Sequence, residues 1–372
     1  MAFRKLGEFI KLVSERNING QFSEVLGISI DKEFMPSVAN IIGTDLTKYY
    51  VIRKNRFAFN PMHVGRDERL PISCYKRENP ALVSPAYQMF EITDDNINSD
   101  YLMLVFKSSE FDRNCWFHTD SSVRGGISWN DFCKMEINVP DIAEQERVVK
   151  IYNVINNRIK ILNALNKNLE EQINVLYNQL TSLQTLKEVN LAQLCSFQEG
   201  YVNPPQEKTE YFNGRVKWLR AVDINESFII NTSRTLTDIG FESAKKSAIL
   251  FEPYTIAISK SGTIGRLGII GDYMCGNRAV INIKPKEKIL LPFIYSFLKK
   301  SYKQLVNSAV GTVQKNLYVS ILESLIIKVP DDKDLLNFCE KTFSYMKLMY
   351  NYSFESQKLA ELRGLLLPKL LS

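Results

Sequence analysis

The chain has 372 residues, a formal net charge of +6 and a pI near 8.8. Its 45% hydrophobic and 24% charged residues are typical of globular proteins and exclude a mainly disordered chain. No apolar run reaches the length of a membrane span, and residues 1–5 lead into no signal-peptide core, so we expect a cytoplasmic protein. Six isolated cysteines and two histidines favour reduced, partly buried thiols and no metal site.

The first part of the chain is rich in short β-type runs. Residues 6–10 form an apolar run that predicts a first strand, and residues 48–53 and 56–60 predict two strands around a turn. A strand is also expected at 87–92, and a short helix at 101–107. These patterns predict a mixed α/β domain over residues 1–140.

A long helix is predicted from Asp141 to about residue 186. Asp141 is suited to cap the helix, and neither proline nor glycine follows it until Gly200. Apolar residues recur every three or four positions, as in a coiled-coil seam. They are Ile155, Ile159, Leu162, Leu165, Leu169, Ile173, Leu176, Leu180 and Leu183. Such a seam needs an apolar partner, so we predict a coiled-coil spacer over residues 141–188.

The second half of the chain repeats the first. Ile-Asn-Val-Pro-Asp at 137–141 returns as Ile-Lys-Val-Pro-Asp at 327–331, and each copy precedes a helical segment. Further matches pair 191–195 with 6–10, 277–280 with 84–87, and 316–318 with 126–128, the last pair read as the start of a short strand. The repeat predicts a second domain over residues 189–330.

The second long helix is predicted from about Lys333 to Leu371, within a segment 331–372. Its seam residues are Met346, Met349, Leu359, Leu362 and Leu366, and Gly364 and Pro368 predict that it ends near them. The expected fold is therefore α+β. Two mixed α/β domains alternate with two long helices, which pair as an antiparallel coiled coil in a pseudo-twofold internal repeat.

Candidate catalytic motifs are incomplete. Asn203-Pro204-Pro205-Gln206 lacks the aromatic residue of the Asn-Pro-Pro-aromatic loop in DNA amino-methyltransferases, which favours a simple turn. Pro140-Asp141 and Pro330-Asp331 lack the Glu-x-Lys that would complete a nuclease signature, and a helix start explains both. His63 and His118 are the only histidines, so there are few candidates for the histidine of a Ser-His-Asp triad. We predict that the chain is not an enzyme.

Residues 262–268 carry three glycines at regular spacing. They match neither a dinucleotide fingerprint nor a phosphate loop, so a hairpin loop is the simpler interpretation. Glycine also lets a backbone approach a phosphate, which leaves contact with DNA open. His63 lies in a basic loop and could contact DNA, whereas His118 beside Trp116 and Phe117 is expected to be packed.

Several motifs together resemble the specificity subunit of Type I restriction–modification enzymes. They are the paired Val-Pro-Asp helix starts, the terminal Leu-Leu-Leu-Pro-Lys-Leu-Leu, the run Trp218 to Ile224 and the run Ser261 to Gly265. Asn60-Pro61-Met62 and the run Val83 to Tyr87 resemble a common target-recognition-domain variant of that family. The chain departs from the pattern at the second helix start, where Asp332-Lys333-Asp334 replaces the Ala-Glu-Gln-Glu of residues 143–146.

This resemblance implies a DNA-reading subunit without a cofactor of its own. Each target-recognition domain would read one half of a bipartite, asymmetric site in double-stranded DNA. The helices would separate the two domains and dock methyltransferase subunits, and ATP-dependent restriction subunits would join the complex. S-adenosylmethionine, ATP and Mg²⁺ would be bound by those partners. The DNA-contacting candidates are Arg53, Lys54, Arg56, Asn60, His63, Arg66, Arg69, Ser84, Arg124, Arg220, Lys260, Ser261, Thr263, Arg266, Asn277, Arg278 and Lys315.

Three alternatives remain open at this point. The chain could be a coiled-coil scaffold without a DNA-reading function, or the specificity module of another restriction–modification class. A self-contained methyltransferase or nuclease is the third, and the incomplete motifs disfavour it. Binding to a random duplex at low salt would separate the scaffold from the DNA reader.

Overall fold

A computed structural model describes residues 3–38, 43–119, 125–182, 186–311 and 315–371, with only the backbone of His63 and Arg66. The chain divides into two compact units. Unit 1 comprises Met1–Asn156 and Glu361–Ser372, and unit 2 comprises Asn157–Ala360. The two long helices each contribute residues to both units, and each unit has its own core.

The strands of unit 1 are β1 Phe3–Lys5, β2 Ile10–Val13, β3 Val25–Ile28, β4 Phe34–Pro36, β5 Tyr50–Ile52, β6 Phe57–Phe59, β7 Ile72–Cys74, β8 Ala81–Val83, β9 Gln88–Ile92 and β10 Glu136–Asn138. Its helices are α1 Val64–Asp67, α2 Ser99–Phe106, α3 Ser109–Phe117 and α4 Trp129–Lys134, followed by the long helix α5 Ile142–Thr181. Short 3-10 turns lie at Leu6–Glu8, Leu46–Lys48 and Pro61–His63.

In unit 2 the strands are β11 Lys187–Asn190, β12 Cys195–Glu199, β13 Phe212–Leu219, β14 Phe228–Ile229, β15 Thr235–Leu236, β16 Leu250–Phe251, β17 Ile256–Ser259, β18 Leu267–Ile270, β19 Met274–Gly276, β20 Val280–Pro285 and β21 Ile326–Val329. The helices are α6 Leu191–Leu194, α7 Asp238–Glu242, α8 Leu291–Lys300, α9 Tyr302–Ser308, α10 Val319–Glu323 and the long helix α11 Asp332–Leu371. Four 3-10 turns complete this part, at Thr209–Tyr211, Ala221–Asp223, Lys245–Ser247 and Lys288–Leu290.

The two units share one sheet topology, which confirms the predicted repeat. Unit 1 has sheets of order β2-β9-β6-β7 and β4-β3-β8-β5, and unit 2 has β12-β20-β17-β18-β14 and β15-β13-β19-β16. Even the parallel pair recurs, since Val25 faces Leu82 and Trp218 faces Cys275. A small antiparallel sheet, β1-β10 or β11-β21, closes each unit. Strand β14 is an addition to the larger sheet of unit 2.

The core of unit 1 is built around phenylalanine rings from separate elements. Phe57 stacks on Phe90 with a centroid distance of 4.9 Å, and Phe59 stacks on Phe132 at 4.7 Å. These four side chains are fully buried and join the sheet to α4. The core of unit 2 instead packs isoleucines of β17, β18 and β20 against α8 and the inner faces of α5 and α11. Burial of this apolar surface is the main stabilising term in both units.

Two local predictions are wrong. Residues 6–10 and 191–195 do correspond, but Leu6–Glu8 is a 3-10 turn and Leu191–Leu194 is a helical turn rather than a strand. Residues 126–128 and 316–318 were predicted to start a short strand. Instead, Ser128 and Tyr318 precede the short helices α4 and α10, and the strands β10 and β21 follow those helices. Periodicity cannot distinguish a strand from a helical turn in apolar runs this short.

The ends of the long helices also differ from the prediction. Helix α5 ends at Thr181 instead of near residue 186. Helix α11 continues through Gly364 and Pro368 to Leu371. Pro368 lies in the last turn and removes one backbone donor there. Leu367, Leu370 and Leu371 pack onto the core of unit 1, and that packing outweighs the local propensity.

The antiparallel pairing of the long helices is confirmed within each unit. In unit 2, Nδ2 of Asn166 donates to Ser353 over 3.0 Å, and Ser356 donates to Asn163 over 3.1 Å. In unit 1, Arg363 donates to Asn156 over 2.6 Å. Residues later in α11 therefore pair with residues earlier in α5. An antiparallel pair requires this order.

The seam of α5 differs in detail from the predicted set. Leu162 is fully buried, but Leu165 is 38% exposed and Asn166 takes the seam position instead. Ile173, Tyr177 and Leu180 continue the buried stripe, with Leu169 and Leu176 partly buried beside it. On α11, Met346 and Met349 are buried, whereas Leu362 is 43% exposed. Ile155, Ile159, Leu359 and Leu366 are half-buried.

Candidate nucleic-acid interface

In unit 2, five loop segments meet at one end of the two main sheets. Lys260 N donates to Ala279 O over 2.7 Å, and Asn277 N donates to Leu219 O over 2.9 Å. Further backbone bonds join Val202 to Gly276 and Leu317 to Lys260. We call this surface the loop edge of unit 2, comprising residues 200–205, 219–223, 259–266, 277–279 and 315–318. The sheets thus bring together residues that are far apart in sequence.

Gly200 is what lets two of these loops approach so closely. A Cβ at this position would lie 2.3 Å from Asn277 O and 2.5 Å from the carbonyl carbon of Gly276. Contacts this short with backbone atoms cannot be relieved by a side-chain rotation. Any other residue at position 200 must therefore displace the segment that carries Asn277 and Arg278.

The glycine-bearing segment forms the predicted hairpin loop between β17 and β18. Gly262 and Gly265 have φ angles of +76° and +82°, a region that favours glycine. Ser259 Oγ accepts from Arg266 N over 2.8 Å and donates to Thr263 O over 2.5 Å. The loop is held in shape by its own hydrogen bonds, with Thr263 exposed and Ser261 half-buried.

Two predicted DNA-contacting cations of unit 2 have partners inside the unit. The ammonium of Lys260 lies 2.8 Å from Glu199 Oε1, and its side chain is 17% exposed. Arg220 donates to Ser233 Oγ over 2.6 Å and lies over the Trp218 ring. Arg266 is half-buried, while Arg278 and Lys315 are exposed. The cations most accessible to a ligand at the loop edge are therefore Arg278 and Lys315.

A polar cleft of about 460 Å³ adjoins Arg278. It is lined by Tyr201, Asn203, Pro205, Tyr211, Ser243, Ala244, Ser247 and Arg278. Asn203 Oδ1 accepts from Arg278 N over 3.4 Å, which ties the cleft to the loop edge. The turn itself lies at Gln206 and Glu207, where Lys208 N donates to Pro205 O over 3.3 Å, and Asn203 precedes it. No sequence pattern indicated that Asn203 would lie beside Arg278 and the two tyrosines.

The corresponding loops of unit 1 follow the same plan. Ile127 N donates to Pro61 O over 3.2 Å, as Leu317 N does to Lys260 O over 2.9 Å in unit 2. Asn60 Oδ1 accepts from Met62 N, and Ser84 Oγ accepts from Ala86 N, so both side chains stabilise local turns. Arg69 in the same segment is exposed. Arg124 and the side chains of His63 and Arg66 lie outside the described residues.

Arg53, Lys54 and Arg56 lie at the opposite end of β6 from Asn60. Glu15 Oε1 lies 2.6 Å from Arg53, and Glu15 Oε2 lies 2.6 Å from Arg56. The hydrogen bond from Arg53 lowers the pKa of Glu15, although partial burial opposes the shift. Lys54 pairs with Glu78. The structure therefore does not unite these three cations with the loop around Asn60.

His118 is exposed, which contradicts the prediction that it would be packed. Its ring meets Phe117 edge-on with a centroid distance of 5.4 Å. Phe117 is itself 81% exposed at the end of α3, since the buried face of that helix carries Phe111 and Cys115 instead.

Comparison with known proteins gives a consistent result. Residues 184–362 match the Type I restriction modification DNA specificity domain family. The HindI specificity subunit of Haemophilus influenzae is 20% identical over 375 residues, covering 78% of this chain and 80% of that protein. The MjaIX specificity subunit of Methanocaldococcus jannaschii is 20% identical over 317 residues, covering 79% and 72%. These matches support the resemblance to Type I restriction–modification specificity subunits that the motifs indicated.

A solved specificity subunit has the same fold. The Type I restriction–modification S subunit of M. genitalium superposes with a TM-score of 0.59 at 15% identity, covering 100% of this chain and 96% of that one. The fold that the motifs implied is thereby confirmed. The roles of the individual loop residues stay predictions.

Two further observations concern the described parts of the chain. No three His, Cys, Asp or Glu side chains gather there in a way that could hold a metal ion. No helix in the same ranges is both long and apolar enough to span a bilayer.

Proposed function

We propose that this chain reads a bipartite, asymmetric sequence in double-stranded DNA for a Type I restriction–modification complex. The observation that carries the proposal is that the two units share one sheet topology while their loops differ in sequence. A common scaffold with different loops suits two different half-sites. Each unit would then read one half.

The loop edges would contact the DNA. Exposed cations such as Arg278 and Lys315, together with Arg69 in unit 1, would contact phosphates or base edges. The hairpin at Gly262 presents backbone that can approach a phosphate closely. Phosphate contacts supply affinity that depends on salt, and side-chain contacts to base edges in the major groove supply specificity.

The reaction chemistry would come from partner subunits. Methyltransferase subunits would bind S-adenosylmethionine, and restriction subunits would use ATP and Mg²⁺. Relatives named as specificity subunits of Type I restriction enzymes support this assignment. We infer that the present chain supplies the DNA sequence specificity and acts in the cytoplasm.

Selection from a random duplex library by the full chain tests the proposal. We expect enrichment of two short blocks separated by a spacer of constant length. Exchanging residues 189–330 for the matching segment of a relative should change one block and preserve the other. The matched control exchanges residues 1–140, which should change only the other block.

Two outcomes would contradict the proposal. Equal recovery of all sequences would favour a scaffold without DNA-reading function. A single exchange that altered both blocks would show that the two units do not read DNA independently.

A further inference from the structure

Arg278 differs from Lys260 and Arg220, two other cations at the loop edge of unit 2. Lys260 is paired with Glu199, and Arg220 is bonded to Ser233 beside Asp223. The guanidinium of Arg278 has neither a hydrogen bond nor an ion pair within the described part of the chain, and the side chain is exposed. Its donors are therefore available to a ligand.

The backbone of Arg278 is held on both sides. Asn277 N donates to Leu219 O over 2.9 Å, and Val280 N donates to Asn277 O over 3.1 Å. Ala279 N donates to Asn277 Oδ1 over 3.0 Å, and Arg278 N itself bonds to Asn203. The backbone that carries Arg278 is therefore already ordered, and only the side chain has to be ordered when it binds.

The cleft beside Arg278 has ordered polar walls. Tyr201 donates its hydroxyl to Glu199 Oε2 over 2.9 Å, and the hydroxyl of Tyr211 accepts from Lys208 over 3.1 Å. Ser247, which also lines the cleft, belongs to a 3-10 turn that carries the exposed residues Lys245 and Lys246. Cations beside a polar cleft suit a site where backbone phosphates flank a base edge.

We propose that Arg278 is the base-reading residue of unit 2 and that it binds the major-groove edge of a guanine. This inference rests on the proposed function. The planar guanidinium presents two parallel N–H donors, which match the N7 and O6 acceptors of guanine. Lys245 and Lys246 would contact phosphates on either side of that guanine and fix the position of unit 2 along the DNA.

The test compares sequence selection by the full chain and by two variants at this position. Arg278→Lys keeps the charge but loses the two-donor fork, and Arg278→Ala loses both. Each should lose discrimination at a single G·C position by about 10- to 100-fold, measured as the affinity ratio between the selected duplex and its substituted form. All other positions of both blocks should stay unchanged, and Arg278→Lys should keep the salt dependence of binding.

Lys284→Ala is the matched control. Lys284 lies at the far end of β20 and pairs with Glu252 over 2.8 Å, so its loss should leave specificity intact.

A uniform loss of affinity in Arg278→Ala, with a flatter salt dependence and an unchanged consensus, would identify a phosphate contact and overturn the proposal. Unchanged binding and selectivity in both variants would overturn it as well. In that case the selectivity of the wild type would still support the proposed function. If the wild type selects no consensus, the proposed function fails and this inference fails with it.

Discussion

The ammonium of Lys32 lies 2.7 Å from Oδ1 of Asp112 in the interior of unit 1. The side chains are only 4% and 12% exposed. The same carboxylate oxygen accepts from Leu70 N over 3.0 Å, and Lys32 also donates to Phe106 O. Burial lowers the pKa of Lys32, and the charge of Asp112 opposes that shift. One ion pair thus joins the β3–β4 turn to α2, α3 and the segment that carries Arg69.

Removing one member of this pair should destabilise unit 1 strongly. Asp112→Ala leaves a buried ammonium and the Leu70 N–H without their acceptor, so we expect a loss of about 3–5 kcal/mol in unfolding free energy. Urea denaturation followed by tryptophan fluorescence measures it. A Trp218→Phe background leaves Trp116 and Trp129 as reporters, and both lie in unit 1.

The double variant Lys32→Met/Asp112→Leu provides the control for unpaired charge. It should lose much less stability than the sum of the single variants, because it leaves no buried charge behind. The exposed pair Lys54–Glu78 is the matched surface comparison, and replacing Lys54 by Met should have little effect. Additive losses in the double variant would contradict the prediction.

Two leucines on adjacent turns of α5 should respond differently to truncation. Leu162 is fully buried in the seam, whereas Leu165 is 38% exposed. Leu162→Ala should cost about 2–5 kcal/mol through lost burial and the cavity left behind, and Leu165→Ala less than about 1 kcal/mol. Chemical denaturation of the two variants measures the difference. Equal losses would mean that the helices pair in another register.

Two glycines should respond to alanine in opposite directions. Gly364 lies within α11, and a Cβ there would meet nothing within 4 Å. Gly364→Ala should therefore stabilise the helix by up to about 1 kcal/mol. Gly200→Ala should cost about 1–3 kcal/mol, because its Cβ would meet the backbone of Asn277.

Thermal unfolding measures both changes. DNA selection should weaken only for Gly200→Ala, since that substitution shifts the loop edge. A stabilised Gly200→Ala variant would be inconsistent with the close approach of the two loops.

Most thiols should be unreactive in the native protein. Burial raises the pKa of Cys74 to about 11, and those of Cys195, Cys275 and Cys339 to about 12. Burial also raises the pKa of Cys115, and only Cys133 is partly accessible. At pH 8 the thiolate fraction of the buried thiols is on the order of one in a thousand or less, and it grows as the pH rises towards these pKa values.

Labelling with a chromogenic disulfide at pH 8 checks this. We expect one fast thiol, which Cys133→Ser should abolish, and release of all six cysteines on unfolding. Rapid labelling of a second cysteine would show that one of the cores opens readily.

Local patterns in the chain predicted the order of its domains and long helices. Three- and four-residue spacing predicted both long helices, and the duplicated Val-Pro-Asp segment predicted that the second half repeats the first. Periodicity and repetition can be recognised in a sequence without knowledge of the fold.

Which side chains face a partner depends on packing between segments that are distant in sequence. Asn166 and Tyr177 occupy the helix seam while Leu165 turns outward, because packing against the rest of unit 2 sets the rotation of α5. In the sequence, Lys260 and Arg278 were equivalent candidates for DNA contact. In the structure, Glu199 pairs with Lys260, whereas Arg278 is exposed. Glu15 neutralises Arg53 and Arg56 in the same manner. Charge pairs between distant segments form only when the sheets bring those segments together, and no local pattern records them.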